Sequence, residues 1–192
     1  MTTDSPTKAP AGPSFSLGDR LSLVHVLADW PVAALIASMA MLAAAHAFET
    51  FGKLAPCTLC LKQREVYWAA AGLSLLAVAL ARTAWSERVR RPLNLLLALV
   101  FLYGAGLAAY HAGAEWKWWP GPTTCASGAA AAAGVSADAM AGLMNGAKVN
   151  VPHCDVAAWV FAGLSMAGWN ALISLGLAGL SGVAALRGGS TR

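Results

Sequence analysis

Three stretches of this chain run to membrane-spanning length without a single Asp, Glu, Lys or Arg: Trp30 to Phe48, Pro92 to Tyr110 and Trp169 to Leu186. A fourth, Val66 to Ala81, is shorter, but its start extends back to Leu61. A helix rises ~1.5 Å per residue, so about 20 apolar residues cross the hydrocarbon core. With 58% hydrophobic and 11% charged residues in 192, the chain has far more apolar surface than so small a globule can bury. The expected fold is therefore all-α and integral to a membrane: a bundle of four transmembrane helices at about 30–48, 61–81, 92–110 and 169–186. Residues 1–29 form a flexible leader, 30–186 the membrane domain, and 187–192 a tail. Nothing is left over for a separate soluble domain.

The formal charge of +4 is placed unevenly. Arg82, Arg88, Arg90 and Arg91 crowd the short connection between the second and third spans. Lys8 and Arg20 precede the first span, and Arg187 and Arg192 follow the last. All three segments fall on one side of a four-span protein, which the positive-inside rule makes the cytoplasmic side. The pattern is a topology signal and argues against a nucleic-acid partner. Ala45-His46-Ala47 has the form of a signal-cleavage site, but the long mixed leader and long apolar run favour an uncleaved helix.

Two loops then face outward, at about 49–60 and 111–167. The second is long for a structureless connection. It holds an Ala- and Gly-rich stretch, 126–134, and then a short helix with Ser136 as N-cap, Asp138 in its first turn and Met140, Leu143 and Met144 on one face. That helix either lies flat on the membrane surface or forms a soluble turn over the bundle. Trp116, Trp118, Trp119, Trp159 and Trp169 suit the headgroup layer, since an indole is apolar but keeps a polar N–H. Gly176, Gly179 and Gly182 in the last span are expected to let helices approach closely.

All four cysteines lie on the outward side, two per loop: Cys57 and Cys60, Cys125 and Cys154. An oxidising compartment there favours disulfides. Cys57-Thr58-Leu59-Cys60 follows Pro56 and opens a helix, where free N–H groups and partial positive charge favour thiolates, the reacting form in disulfide exchange. Positions i and i+3 share a helix face, and Arg64, one turn deeper, can stabilise a Cys60 thiolate and donate to a carbonyl oxygen. On the same wheel Lys62 and Gln63 point elsewhere. A passive disulfide is the plain alternative for this pair, and a staple across the long loop is the plain alternative for Cys125 and Cys154. Four cysteines could also hold zinc, but the oxidising, membrane-bound setting disfavours it, and no metal site is expected.

The run Pro56-Cys57-Thr58-Leu59-Cys60-Leu61-Lys62-Gln63-Arg64 resembles the P-C-x-L-C-x-x-x-R motif of the DsbB family of disulfide bond formation proteins. The likeness extends from Trp30 to Leu186, through the four spans, the two spaced cysteines of the second loop, Trp119 to Cys125 and Gly163 to Trp169. It implies a bacterial inner-membrane oxidoreductase that reoxidises a periplasmic, thioredoxin-like DsbA-type protein and passes the electrons to a quinone, ubiquinone or menaquinone. Both termini would be cytoplasmic and the cysteines periplasmic. The resemblance makes Cys57, Cys60, Cys125 and Cys154 catalytic: Cys125 exchanges with the partner, Cys154 with Cys57, and Cys60 meets the quinone. It sets Arg64 and, at the end of the third span, His111 beside that quinone. The Ala/Gly-rich stretch departs from the more polar loops of the family.

A DsbA-type couple is strongly oxidising, so its electrons need a still stronger acceptor than a glutathione-type pool. No Rossmann fingerprint, P-loop or haem-attachment motif offers another. Two rival readings are a vitamin K epoxide reductase-like enzyme, whose CxxC typically lies on the last helix, and a non-catalytic membrane scaffold with two structural disulfides.

Overall fold

The structure is a computed structural model that describes residues 29–83, 86–122 and 154–187. Cys125, the 126–134 stretch, the helix expected near 136–144 and almost all of the leader lie outside these residues. Four helices dominate: α1 (Trp30–Thr50), α2 (Thr58–Leu80), α3 (Ser86–Glu115) and α4 (Met166–Arg187). Among the described residues, α1, the Arg88–Glu115 part of α3 and α4 are long and apolar enough to cross a membrane. Lys62, Arg64 and Glu65 load the start of α2 with charge and keep it out of that group.

Pro31 starts α1, where a missing N–H costs nothing. Cys57, in extended conformation, is the N-cap of α2, so Pro56 stands one residue outside the helix rather than in its first turn. The third helix begins at Ser86, before the expected span, and carries Pro92 inside it. It also continues past Tyr110, so that His111 is helical. It ends in a Schellman turn: Trp118 N–H donates to Gly113 O and Lys117 N–H to Ala114 O, with Lys117 left-handed at φ 62°. The Lys117 ammonium then grips both the carboxylate and the carbonyl of Asp155, each at 2.6 Å, and so fixes the chain just after Cys154.

One element was not expected. Val160–Phe161 (β1) and Leu164–Ser165 (β2) form a two-stranded antiparallel hairpin ahead of α4. Ala162 and Gly163, both at positive φ, make the tight turn that a two-residue hairpin requires. Ser165 Oγ accepts the Gly168 N–H and caps α4, while the Trp169 indole donates to Phe161 O and holds the hairpin against the helix.

Packing is inverted relative to a soluble bundle. Ser38, Ser74, Ser174 and Ser181 have no exposure, while Ile36 is 64% and Leu99 62% exposed. Without a hydrophobic drive between helices in lipid, close backbone approach and interhelical hydrogen bonds take over. The Trp30 indole donates to Ser181 Oγ at 2.9 Å and ties the start of α1 to the end of α4. Trp30, Leu42, Tyr67, Leu97 and Phe101 fill the remaining core.

The close approach expected of the α4 glycines occurs elsewhere. A Cβ on Gly176, Gly179 or Gly182 would meet nothing within 4 Å, because that face turns outward. On Gly104 of α3 it would lie 2.9 Å from Val66 Cγ1 of α2. Valine is stiff at χ1 and cannot swing aside easily. Gly104→Leu is therefore expected to destabilise the protein by about 1–3 kcal/mol or more, as overpacking does. Gly176→Leu should leave stability nearly unchanged. Thermal denaturation of both variants in detergent checks the pair, and equal midpoints would contradict this packing.

Candidate functional site

The site forms where α2 and α4 begin and α1 and α3 end. Cys57 and Cys60 are free thiols, with their sulfurs 3.1 Å apart. Either sulfur can carry the shared proton, and the surroundings assign it to Cys60. Cys57 Sγ accepts the Cys60 backbone N–H at 3.3 Å, acting as the helix cap, and lies 3.7 Å from His111 Nε2. The Cys60 hydrogen bond, helped by the His111 contact and charge and the backbone N–H, outweighs burial and lowers the Cys57 thiol from 9.0 to about 4. The same hydrogen bond, followed by burial, raises that of Cys60. The sequence pattern gave the thiolate to Cys60 under the influence of Arg64. The structure gives it to Cys57, because the cap position collects the donors.

Arg64 is engaged with α1 instead. Its guanidinium donates to Glu49 Oε2 at 2.6 Å and to Ala45 O at 3.1 Å, with its side chain 14% exposed. It nevertheless lines the cavity described below.

Gln63 corrects the helical-wheel reading more directly. It is buried and points inward, with its amide against His111 Nδ1 at 2.9 Å and its Oε1 accepting from Asn170 of α4. Tyr67 donates to Asn170 Oδ1, and its hydroxyl also meets Ser174 Oγ at 2.9 Å. Since Gln63 Oε1 is taken by Asn170, its N–H group faces His111 Nδ1, and the neutral ring then carries its proton on Nε2. That nitrogen faces Cys57 and lies 3.7 Å from Glu115 Oε1, one helical turn further along α3. The Glu115 side chain is 5% exposed, and its other oxygen has no hydrogen-bond partner.

Of these groups the sequence reading missed Gln63, Tyr67, Asn170, Glu115 and Glu49. Their signal was a polar side chain in or beside an apolar span, which is costly there unless it has work to do. The His111–Glu115 pair also had the i, i+4 spacing that places two side chains on one helix face.

Cys154 is disulfide-bonded, buried, and packed with Cys57 and Leu59. Its sulfur is 3.5 Å from Thr58 Oγ1, so the second loop returns directly onto the Cys57–Cys60 turn. Beside both lies a cavity of about 770 Å³ with mostly apolar walls. Cys57, Cys60, Gln63, Arg64, His111 and Glu115 mark its polar side. Phe48, Trp159, Phe161 and Trp169 line it elsewhere, with Trp159 stacked on Phe161 at 5.7 Å. Trp116, Trp118 and Trp119 stand outside as exposed rings.

No curated protein and no solved structure matches the chain. The family described as disulfide bond formation protein DsbB matches residues 28–184, which takes in α1 to α3, α4 up to its last three residues, and the entire site. With a helical bundle suited to lipid and a reduced cysteine pair at its mouth, the chain belongs to the DsbB family, the membrane oxidoreductases of disulfide bond formation.

Proposed function

We propose that this protein reoxidises a periplasmic, thioredoxin-like DsbA-type dithiol and delivers the two electrons to a membrane quinone, with Cys57, Cys60, Cys125 and Cys154 as the relay. The observation that carries the reading is the position of Cys154. A loop cysteine in a disulfide lies against the capping cysteine of a free CxxC pair, which itself borders an apolar cavity. A staple remote from the pair would leave no path between the two.

The relay balances as follows. The partner dithiol reduces a Cys125–Cys154 disulfide by exchange and leaves as a disulfide. The Cys154 thiolate then attacks Cys57 of an oxidised Cys57–Cys60 pair and releases Cys60. Attack of Cys125 on Cys154 restores the first disulfide and leaves Cys57 and Cys60 as a dithiol. Two electrons and two protons remain to be removed at that pair.

A quinone supplies the acceptor for them, and the residues present suit one. The cavity takes a flat ring with an apolar tail, and Arg64 and His111 Nε2–H offer donors for carbonyl oxygens. His111 Nε2–H faces the Cys57 sulfur, which equips it to donate to that thiolate and hold its negative charge in place. Gln63 keeps the imidazole oriented, and the apolar walls exclude water. The topology follows from charge: Arg82, Arg88 and Arg187 belong to the opposite end of the bundle from Cys57, which supports four spans, an inner-membrane location, cytoplasmic termini and periplasmic cysteines. Placement of the CxxC on the second helix agrees with the DsbB family rather than with a vitamin K epoxide reductase-like order.

Cys60→Ser should abolish quinone reduction driven by a reduced dithiol partner, followed by quinone absorbance in proteoliposomes. Thiol exchange between the partner and the Cys125–Cys154 pair should survive. Turnover at the wild-type rate would refute the assignment of roles.

A second expectation concerns charge. With Cys57 lowered to about 4 from 9.0, the reduced protein should keep one thiolate on acidification to about pH 6, where an ordinary thiol is protonated. Cys57→Ser should remove that thiolate's ultraviolet absorbance. His111→Ala removes a hydrogen bond and a charge that favour the thiolate, so its midpoint should move to higher pH. A titration unaffected by either change would show that the thiolate lies elsewhere.

A further inference from the structure

Sequence spacing offered zinc only the four cysteines. The fold assembles a different donor set. Cys57 Sγ, Cys60 Sγ and His111 Nε2 all lie within 4.8 Å of one another. The Glu115 carboxylate stands 3.7 Å from the same imidazole nitrogen, and its Oε2 is buried without a partner beside the cavity. We infer that the dithiol state of this protein is a binding site for a thiophilic divalent cation of the zinc class, with Cys57, Cys60 and His111 as ligands and Glu115 at the fourth position.

The chemistry suits the donors. Thiolate and imidazole together select zinc-like ions over magnesium or calcium, which prefer oxygen. Around a tetrahedral ion with Zn–S of ~2.3 Å and Zn–N of ~2.0 Å, ligand atoms stand roughly 3.5–3.8 Å apart. The Cys57–His111 separation of 3.7 Å already fits. The two sulfurs, at 3.1 Å, need to open by about 0.6 Å, within reach of a small rotation about χ1 of Cys60. All four groups line the cavity, so an ion can reach the site from it.

The surrounding hydrogen bonds can accommodate the ion. A histidine that binds metal through Nε2 carries its proton on Nδ1 and needs an acceptor there. Gln63 faces that atom and becomes the acceptor when its amide turns over. Its N–H group then meets Asn170, whose amide, turned likewise, donates to the Tyr67 oxygen. Tyr67 donates onward to Ser174 Oγ at 2.9 Å. The chain from Gln63 to Tyr67 thus reverses polarity, and the Ser174 hydroxyl changes from donor to acceptor toward Asn170.

Binding replaces the protons still held by the thiols, which pass to solvent, and forms two metal–sulfur bonds with no change of oxidation state. Disulfide formation consumes both sulfur ligands. Cation and disulfide therefore exclude one another, and the ion holds the pair reduced and blocks electron transfer at Cys60. The two thiols, the imidazole and the Glu115 carboxylate form this site whatever the electron acceptor is.

The test uses the full-length protein in detergent, without oxygen and without quinone. Zinc uptake is measured by dialysis and elemental analysis, and cobalt is added as a spectroscopic probe of thiolate ligation. Reduced protein should bind one equivalent with thiolate-to-cobalt charge-transfer absorption, and fully oxidised protein should bind none. Cys57→Ser/Cys60→Ser should lose the tight site, His111→Ala should lose the tetrahedral cobalt signature, and Glu115→Gln should weaken affinity by about 10- to 100-fold. Cys125→Ser/Cys154→Ser should retain the site, and the wild-type oxidised and reduced states make the same comparison without any substitution. Equal uptake by oxidised protein, uptake that survives loss of Cys57 and Cys60, or no uptake by reduced wild type would each overturn the inference.

Discussion

A helix that starts at a membrane boundary has backbone N–H groups to satisfy where water is scarce. In α2 a sulfur meets part of that need: Cys57 Sγ accepts the Cys60 N–H. The capping role and the redox role are one geometry. An acceptor at this position gains from holding negative charge, since donors and the positive end of the helix converge on it. The same turn sets Cys60 over the cavity and puts Cys57 against Cys154. Had the cap been serine, α2 would begin equally well and the site would have no chemistry.

The second constraint is the polar chain from Cys57 through His111, Gln63, Asn170 and Tyr67 to Ser174. It joins α2, α3 and α4 across a bundle whose interior is otherwise apolar or small side chains. A buried amide without a partner costs a few kcal/mol, whereas a fully satisfied network costs little and fixes rotation about each helix axis. Gln63 and Asn170 therefore orient the helices as well as the imidazole. Ser38 Oγ, Ser74 Oγ and Asn94 Oδ1 lack a hydrogen-bond partner elsewhere in the bundle, and Glu115 Oε2 lacks one at the site itself. A buried carboxylate with one orphaned oxygen is destabilising in the thiol state, and its persistence at the cavity marks a place where charge or a ligand is to be compensated.

Much of this was legible from the chain. Long uncharged runs dictate helices in lipid, and proline before CxxC announces a helix start with sulfurs on one face. Periodicity, however, gives faces relative to one another and not relative to neighbours. Gln63 and Arg64 illustrate the loss. The wheel put Arg64 beside Cys60 and Gln63 away, but α2 is rotated so that Gln63 looks inward to α3 and α4 while Arg64 reaches across to Glu49 of α1. The glycines of α4 failed for the same reason. Small residues permit approach without saying which helix comes near, and it is Gly104 that lies against Val66. The hairpin at 160–165 was hidden because its strands are two residues long, below any periodic signal, and only Ala162-Gly163 hinted at a turn.

The proposed function requires two kinds of partner to meet one cysteine pair, and a position at the membrane boundary allows it. A dithiol exchange needs sulfurs accessible to a protein from the aqueous side, and a lipid-borne acceptor needs access from the bilayer. A CxxC in the middle of a span would serve only the second, and one on an extended loop only the first. The proposed topology sets the N-cap of α2 between them. From above, Lys117 on the Schellman turn of α3 anchors Asp155 and so brings Cys154 down onto Thr58. From the side, the aromatic hairpin and α1 shape the cavity wall around Cys60. The helix ends, rather than the long apolar stretches, therefore arrange this site: the turn after α3, the hairpin before α4 and the cap of α2 set each sulfur among its neighbours.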